Sequence, residues 1–350
     1  MKILIIQQKM IGDVLTSSIL FESLRHKFPE SQLDYLINDH TYPVVENNPF
    51  IDKFIFITPE IEKSKIKFFA FLKKLRKEEY DAVIDIYGKI SSALISLSIK
   101  ANIKTAYHKR HTAYIYSHTI KRLKQPQNNS SLAIENRFKL LEPLQIKFSP
   151  ITPKIYLTST EVKDAKLYLQ ENNIDLQKPL YMISVLGSSK NKTYPKNYMA
   201  KLLNTIVEQN TDSQLLFNYI PRQKEEAKAV FDACNKVTQQ HILFNVFGKS
   251  LREFLAITKH CNALIGNEGG ANNMAKALGI KTFTIFSPYL NKKNWFGGVE
   301  SDKHHVAIHI SDFVPFSEQD IVLAKKNVED YYLKLKPEYI KPKLINFLKQ

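Results

Sequence analysis

The stretch KILIIQQKMIGDVLTSSIL, residues 2–20, decides the fold prediction because it joins an apolar run, a polar turn and an amphipathic segment. Residues 3–6 are apolar without alternation, which predicts a strand buried on both faces, as in a parallel sheet. After Asp13 the apolar residues recur every three or four positions, and the basic residues before Pro29 predict a helix end near Phe28. Loops at the carboxyl ends of parallel strands bind ligands, so this turn is a candidate site.

The same alternation of strand and helix runs along the rest of the chain. We predict strands at 32–37, 54–57, 82–86, 180–185, 214–219, 263–265 and 282–286, and helices at 61–79, 91–99, 132–147, 196–209, 222–235, 250–260, 271–278 and 318–333. This order predicts an α/β fold with parallel sheets and helices on both faces.

Proline-rich residues 148–153 indicate the start of an interdomain linker. We therefore expect two doubly wound domains, 1–155 and 156–318, with a ligand cleft between them. Residues 319–350 are predicted to form a C-terminal helix and a lysine-rich tail that packs back toward the N-terminal domain.

Composition limits the class of protein. A chain of 350 residues that is 44% hydrophobic and 24% charged is neither disordered nor collagen-like. Its two cysteines, Cys234 and Cys261, exclude a disulfide framework and a cysteine-based zinc site. No apolar run reaches the roughly 7–15 residues of a signal peptide or the roughly 18–20 of a membrane span, so we expect a soluble, cytoplasmic protein. The net charge of +16 favours nucleic acid, an anionic membrane face or acidic small molecules, and does not choose among them.

The first candidate site is the turn from Lys9 to Asp13, after the first strand. Gly12 permits a tight turn there. Asp13 stands at the start of the helix, where it either caps the exposed N–H groups or faces the cleft as a general base.

The second candidate is the loop 187–195, after the first strand of the second domain. Small residues let backbone N–H groups approach an anion, Ser188 and Ser189 offer hydroxyl donors, and Lys192 offers a positive charge for a phosphate. The alternative is a solvated loop with ordinary surface lysines.

The third candidate is the glycine-rich turn 265–273, between a strand and a helix. Its central residues are Asn267, Glu268, Gly269, Gly270, Ala271 and Asn272. Glycines at such a turn form an anion-binding nest at the helix N-terminus, and the Glu268 carboxylate can accept hydrogen bonds from ribose hydroxyls. The alternative is a glycine-rich turn with an asparagine cap.

Several signatures of other functions are absent from the sequence. The chain contains neither a P-loop nor Gly-x-Gly-x-x-Gly, and it has no Asp-x-Asp to hold a divalent metal on a nucleotide sugar. We predict no metal site, no cofactor and no nucleic-acid partner. Basic residues cluster before the linker, and residues 66–72 mix lysine with aromatics, either as a buried helix stripe or at a lipid headgroup boundary.

Four segments in the expected order resemble glycosyltransferase family 9, the lipopolysaccharide heptosyltransferases. They are residues 2–20, 180–195, 251–279 and 283–288. The resemblance covers nearly the whole chain and implies a GT-B fold of two facing Rossmann-like domains, with the acceptor in the N-terminal domain and the nucleotide sugar in the C-terminal one. It implies inverting transfer of a heptose from ADP-heptose to the lipopolysaccharide inner core, without a metal.

In this resemblance Asp13 matches the family's catalytic base, and Lys192 matches a lysine near the donor phosphates. Lys9 and Gly12 fall in the acceptor-side loop. Ser188, Ser189 and residues 267–272 fall in the donor-binding loops. The resemblance also implies a lipid A–core acceptor, so we expect a monomer that acts at the cytoplasmic face of the inner membrane.

The chain departs from the family at the glycine-rich turn. Asn267 and Asn272 stand where members typically carry Asp and His, Glu268 stands at a hydroxyl position, and Tyr194 replaces a common Trp. These departures leave open a different nucleotide sugar or acceptor, or a nucleotide-sugar-binding protein without catalysis.

Overall fold

The computed structural model describes residues 1–297 and 304–350, and the chain forms two compact units. The first unit comprises Met1–Tyr156 and a short segment that begins at Lys293. The second contains Leu157–Lys292 and the described residues from His304 to Gln350.

The first unit is a parallel sheet with flanking helices. Its strands are β1 Lys2–Ile6, β2 Gln32–Asn38, β3 Lys53–Ile57, β4 Ala82–Asp85, β5 Ile103–Tyr107 and β6 His118–Ile120. Its helices are α1 Ile11–Ser17, α2 Ile19–Lys27, α3 Pro59–Lys63, α4 Lys65–Arg76, α5 Ile90–Ser98 and α6 Leu132–Lys139.

The strand order of the first sheet is β3-β2-β1-β4-β5-β6, with every pair parallel. Strand β1 is central, and residues 3–6 are fully buried, as their unbroken apolar run predicts. The direction of winding reverses between β1 and β4, so the loops that follow these strands diverge and leave a crevice.

The second unit repeats this architecture. Its strands are β7 Leu180–Ser184, β8 Gln214–Phe217, β9 Ala263–Asn267, β10 Lys281–Ile285 and β11 His305–Ile308. Its helices are α7 Ser159–Glu171, α8 Lys196–Gln209, α9 Lys224–Ala233, α10 Lys236–His241, α11 Leu251–Lys259, α12 Gly270–Ala277, α13 Glu318–Lys326, α14 Val328–Lys334 and α15 Pro337–Leu348.

The strand order of the second sheet is β11-β10-β9-β7-β8, again parallel, and the winding reverses between β7 and β9. The predicted α/β class with parallel sheets is confirmed.

Two predicted helices of the first unit are each divided by a serine. The first begins at Ile11 rather than Asp13, and it breaks at Ser18, where the Ser17 and Ser18 hydroxyls donate to carbonyls one turn back. The predicted helix 61–79 is two helices, because Ser64 is extended and its hydroxyl caps α4 by accepting from the Lys67 N–H.

The C-terminal segment differs from the prediction. We expected one helix and a lysine-rich tail, but the segment forms three helices, α13, α14 and α15, which belong to the second unit, where α15 packs against α8. Ile340, Leu344 and Phe347 form a helical stripe that is buried there. The lysines and Pro342 that separate these residues obscure the stripe in the sequence.

No helix in the described part of the chain is long and apolar enough to cross a bilayer.

Candidate functional site

The first candidate site lies at the carboxyl edge of the first sheet, where the winding reverses. The loop after β1 leads into α1, and α5 starts just after β4. The Ser91 hydroxyl at the start of α5 donates to Gln8 Oε1 at 2.7 Å, so the two loops are joined. This crevice is the position at which open α/β sheets bind ligands.

Asp13 is held by a buried arginine that the sequence analysis did not single out. Arg137 of α6 donates from its Nη2 to Asp13 Oδ1 at 2.8 Å. The Arg137 side chain is 7% exposed, whereas that of Asp13 is 35% exposed. No donor from the described residues reaches the second carboxylate oxygen, Oδ2. The pair therefore fixes one oxygen and leaves the other available to a ligand.

The remaining contacts of Arg137 fix the guanidinium itself. Its Nε donates to Ser17 Oγ at 2.9 Å, and its Nη1 donates to the Ala133 carbonyl at 2.9 Å. Asp13 and Ser17 are one helical turn apart, so both lie on the face of α1 that Arg137 contacts. The sequence did carry a signal for this pair. An arginine between the apolar residues Ile134 and Phe138 is expected to be buried with them, and a buried charge requires a partner.

The structure gives Lys9 and Gly12 different surroundings from those expected. Lys9 Nζ pairs with Glu62 at 2.8 Å, and this hydrogen bond raises the pKa of Lys9. Gly12 does not form the tight turn that we predicted, because it lies within α1. The left-handed residue of this loop is Met10, at φ 68°. A non-glycine residue in that conformation is strained, which is common at functional sites.

The second candidate site lies at the carboxyl edge of the second sheet, between β7 and β9. The loop after β7 needs glycine at 187 because a Cβ there would lie 2.2 Å from the Lys192 carbonyl oxygen. The Gly187 N–H donates to Thr193 Oγ1 at 3.0 Å, so it is not available to an anion. Ser188 and Ser189 are exposed at the tip of this loop.

Asn267 joins the two loops from a fully buried position. Its Nδ2 donates to the carbonyls of Ser184 and Val185, each at 2.9 Å, and its Oδ1 accepts from the Tyr194 N–H at 2.6 Å. Asn272 is also buried, donating to the Asn267 carbonyl at 2.7 Å and accepting from Thr284. We predicted that both amides belong to the donor-binding groups; in the structure their hydrogen bonds hold the turn in shape.

Glu268 and Lys192 face each other beside the start of α12. Lys192 Nζ lies 3.5 Å from Glu268 Oε2. Glu268 is 7% exposed, and that oxygen accepts no hydrogen bond from the described residues. A buried carboxylate oxygen without a hydrogen bond is unfavourable unless a ligand satisfies it.

The N-terminus of α12 is open. No side chain caps it, and the N–H groups of Gly269, Gly270 and Ala271 find no acceptor among the described residues. A Cβ added at Gly269 or Gly270 would meet no atom within 4 Å, so packing inside the chain does not require these glycines. By contrast, a Cβ on Gly266 would lie 2.3 Å from the Ser184 carbonyl oxygen. Free N–H groups beneath open space form a site for an anionic ligand.

A cavity of about 690 Å³ adjoins the loop after β7. Its lining comes from residues 190–191 and 193–196, from α9, and from residues 326–330 and Tyr332; neither Lys192 nor residues 266–272 line it. Within residues 1–297 and 304–350, no group of three or more His, Cys, Asp or Glu side chains is arranged to hold a metal ion.

Comparison with known proteins places these features in context. The family model described as glycosyltransferase family 9 (heptosyltransferase) matches residues 68–322, which is more than half of the chain. Lipopolysaccharide heptosyltransferase 1 of Campylobacter coli is 25% identical over 313 residues, which cover 85% of this chain and 86% of that protein.

Two solved structures show the same fold. A glycosyl transferase of family 9 from Veillonella parvula superposes with a TM-score of 0.82 at 17% identity, covering 100% of this chain and 98% of that one. The E. coli heptosyltransferase WaaC with ADP gives a TM-score of 0.66 at 16% identity, covering 95% of this chain and 100% of that one. The GT-B fold expected from the resemblance is therefore confirmed.

Proposed function

This chain belongs to glycosyltransferase family 9, and we propose that it transfers a heptose from ADP-heptose to the lipopolysaccharide inner core, with inversion and with Asp13 as the general base. The observation that carries the proposal is the Asp13–Arg137 pair. One carboxylate oxygen is held by a buried guanidinium, and the other is free at the crevice between β1 and β4. Such an orientation suits a group that removes a proton from a bound hydroxyl.

The proposed donor site is the open start of α12 together with Lys192. The diphosphate of the nucleotide sugar accepts from the free N–H groups of Gly269–Ala271 and draws Lys192 away from Glu268. Glu268 then accepts hydrogen bonds from the ribose hydroxyls. Ser188 and Ser189 donate to the phosphates from the loop after β7. Asn267 and Asn272 act by positioning these two loops.

The proposed reaction is a single displacement. Asp13 takes the proton of the acceptor hydroxyl as its oxygen attacks the anomeric carbon. The bond from that carbon to the diphosphate oxygen breaks on the opposite face, and ADP leaves with the electron pair. Lys192 and the N–H groups of α12 stabilise the charge that develops on the leaving group, which lowers the barrier because this charge grows in the transition state. We propose that these groups suffice without a metal, so EDTA should leave the rate unchanged.

The Asp13→Asn variant tests the catalytic assignment. We expect kcat to fall at least about 100-fold, since an amide cannot accept the proton. Asp39→Asn is the matched control, because Asp39 is an exposed acid of the same unit. ADP release from ADP-heptose with the core acceptor is the assay, and the melting temperature checks the fold. A variant rate within about threefold of wild type would show that Asp13 is not the base.

The Gly270→Ala variant tests the donor site separately. The structure has room for the methyl group, so we expect an unchanged melting temperature. A phosphate against the N–H groups of α12 leaves less room, so the KM for the donor should rise about tenfold or more while kcat changes less. An unchanged donor KM would place the diphosphate elsewhere.

A different donor is the second candidate, and Glu268 is the observation that favours it. A carboxylate stands where the family typically carries a hydroxyl, 3.5 Å from the phosphate-binding lysine. A panel of ADP-heptose, GDP-, UDP- and dTDP-sugars, with nucleoside diphosphate release as the readout, identifies the donor. Donor binding without any release would instead indicate a binding protein without catalysis.

We further propose that the acceptor is lipid A–core at the cytoplasmic face of the inner membrane, and that the protein acts there as a monomer. Light scattering after gel filtration tests the oligomeric state.

A further inference from the structure

Helix α5 buries Ala93 and Ile95 against the first unit but leaves three other large apolar residues exposed. Ile90, Leu94 and Leu97 follow one another at intervals of four and three, and they are 67%, 41% and 54% exposed. The face turned inward carries Ser92 and Ser96, both fully buried. A helix that serves only to cover a sheet would carry polar residues at these three exposed positions.

Helix α4, which contacts α5, exposes two further apolar residues. Ile66 is 83% exposed and Phe69 is 68% exposed, while Phe68 and Phe71 pack against the core of the first unit. The aromatic run 66–72 is therefore divided, with one side buried and the other side presented to solvent. We call Ile66, Phe69, Ile90, Leu94 and Leu97 the α4–α5 surface.

The segments that form α4 and surround α5 carry positive charge and no acid, whereas the adjoining α3 carries Glu60, which pairs with Lys67, and Glu62. No Asp or Glu occurs between Lys63 and Lys77, and none occurs between Asp85 and Glu135. The cations of these segments are Lys63, Lys65, Lys67, Lys73, Lys74, Arg76 and Lys77, and then Lys89, Lys100, Lys104, Lys109, Arg110, Lys121, Arg122 and Lys124. Apolar side chains set among lysines and arginines match the interface of an anionic bilayer. A second copy of this chain would instead bring like charges together.

The α4–α5 surface is continuous with the loop that leads to Asp13. The hydrogen bond from Ser91 to Gln8 joins the first turn of α5 to that loop. In the same loop, Met10 is largely exposed and is held at a positive φ. A surface that rests on lipid here brings the crevice between β1 and β4 next to the headgroups.

We propose that the α4–α5 surface docks on an anionic phospholipid bilayer, with the five apolar side chains at the headgroup–acyl boundary and the surrounding cations on the phosphates. This deepens the proposed function and rests on it only for the identity of the lipid-linked acceptor. A docked protein diffuses in the plane of the bilayer that holds the acceptor, so it does not have to find the acceptor from bulk solution.

Vesicle sedimentation of the full chain tests the proposal, with phosphatidylcholine vesicles that contain or lack phosphatidylglycerol. We expect wild type to bind the anionic vesicles and to be released by salt, because screening weakens the attraction of the cations. In Leu94→Ser/Leu97→Ser the partition coefficient should fall about tenfold or more, since two inserted apolar side chains are lost. Val322→Ser/Leu323→Ser is the control, because these residues are similarly exposed in the second unit, and its binding should stay within about twofold of wild type.

Three outcomes would overturn the proposal. The first is that wild type fails to bind anionic vesicles, and the second is that the Leu94/Leu97 variant binds them as tightly as wild type. The third is that gel filtration finds a dimer of the wild type and a monomer of the variant. The last result would make the α4–α5 surface an interface between two copies.

A water-soluble, deacylated core acceptor separates this inference from the proposed function. If both hold, wild type and the Leu94/Leu97 variant have equal kcat/KM on the soluble acceptor, while only wild type is efficient on acceptor in vesicles. If neither protein transfers sugar to the soluble acceptor, the proposed function fails and the vesicle-binding result still stands.

Discussion

Replacing Asn267 with aspartate tests how the loops after β7 and β9 are held together, because the two side chains have nearly the same shape. Asn267 is fully buried, and its Nδ2 donates to two carbonyls that belong to the end of β7 and the residue after it. An ionised aspartate has no donor, so Asn267→Asp removes both hydrogen bonds and sets a negative oxygen against the two carbonyl oxygens.

The two hydrogen bonds donated by Asn267 set the size of the expected loss of stability. Each lost hydrogen bond to a buried acceptor costs about 1–3 kcal/mol when a negative oxygen replaces the donor, so two cost about 4 kcal/mol. For a unit of this size that corresponds to a melting temperature lower by roughly 10 °C. Burial raises the pKa of the introduced carboxyl, and the neutral form still donates one hydrogen bond. The destabilisation should therefore grow as pH rises from 5 to 8, because ionisation becomes favourable in the unfolded chain before it does in the folded one.

Denaturant unfolding at pH 5 and pH 8 measures the effect. Asn272→Asp is the graded control, because it loses one donated hydrogen bond and still accepts from Thr284, and we expect about half the loss of stability or less. If Asn267→Asp unfolds within about 0.5 kcal/mol of wild type at both pH values, the amide does not hold the two loops together.

Three further predictions concern the second unit. The bidentate pair with Arg252 lowers the pKa of Glu161 to about 2, so its stabilisation is present above pH 4.5 and is lost as pH falls toward 2. Glu161→Gln should cost about 1–3 kcal/mol at pH 7 and progressively less below pH 4.5 in denaturant unfolding, and a pH-independent cost would contradict this. Tyr194→Phe leaves a buried carbonyl before α15 unpaired and should cost about 1–3 kcal/mol by the same measurement, whereas no loss would mean that water replaces the hydroxyl. Burial raises the pKa of the Cys234 thiol to about 12 and also raises that of Cys261, so a thiol reagent should modify neither before unfolding, and rapid labelling of the native protein would refute the burial.

The central strands were predictable because they are buried on both faces and show unbroken apolar runs. Strands β1 and β7 lie within one residue of their predicted bounds. Strands β5, β6 and β11 were missed. They are short and contain polar or charged residues such as Lys104 and Thr119, which obscure the strand pattern.

The loops that form the candidate site were predictable from the sequence, but the contacts of their side chains were not. The sequence pointed to loops after β1, β7 and β9, since ligands bind where parallel strands end. The partner of Asp13 was not predictable, because Arg137 lies 124 positions away and nothing local connects the two. The roles of Asn267 and Glu268 depend on whether each side chain turns inward or toward α12, which tertiary packing decides.

The attachment of α15 to the second unit affects when that unit can finish folding during synthesis. The core beneath α8 is completed by Tyr332, Leu335 and the apolar stripe of α15, and the Tyr194 hydroxyl donates to the Leu335 carbonyl at 2.6 Å. Because domains fold as they leave the ribosome, the sheet and both donor loops emerge before the residues that close over α8. Until the last helix is released, the nascent second unit exposes an apolar surface, and the first unit is free to fold without it. Ribosome-stalled chains that lack α15 should therefore bind chaperone and resist proteolysis only in the first unit.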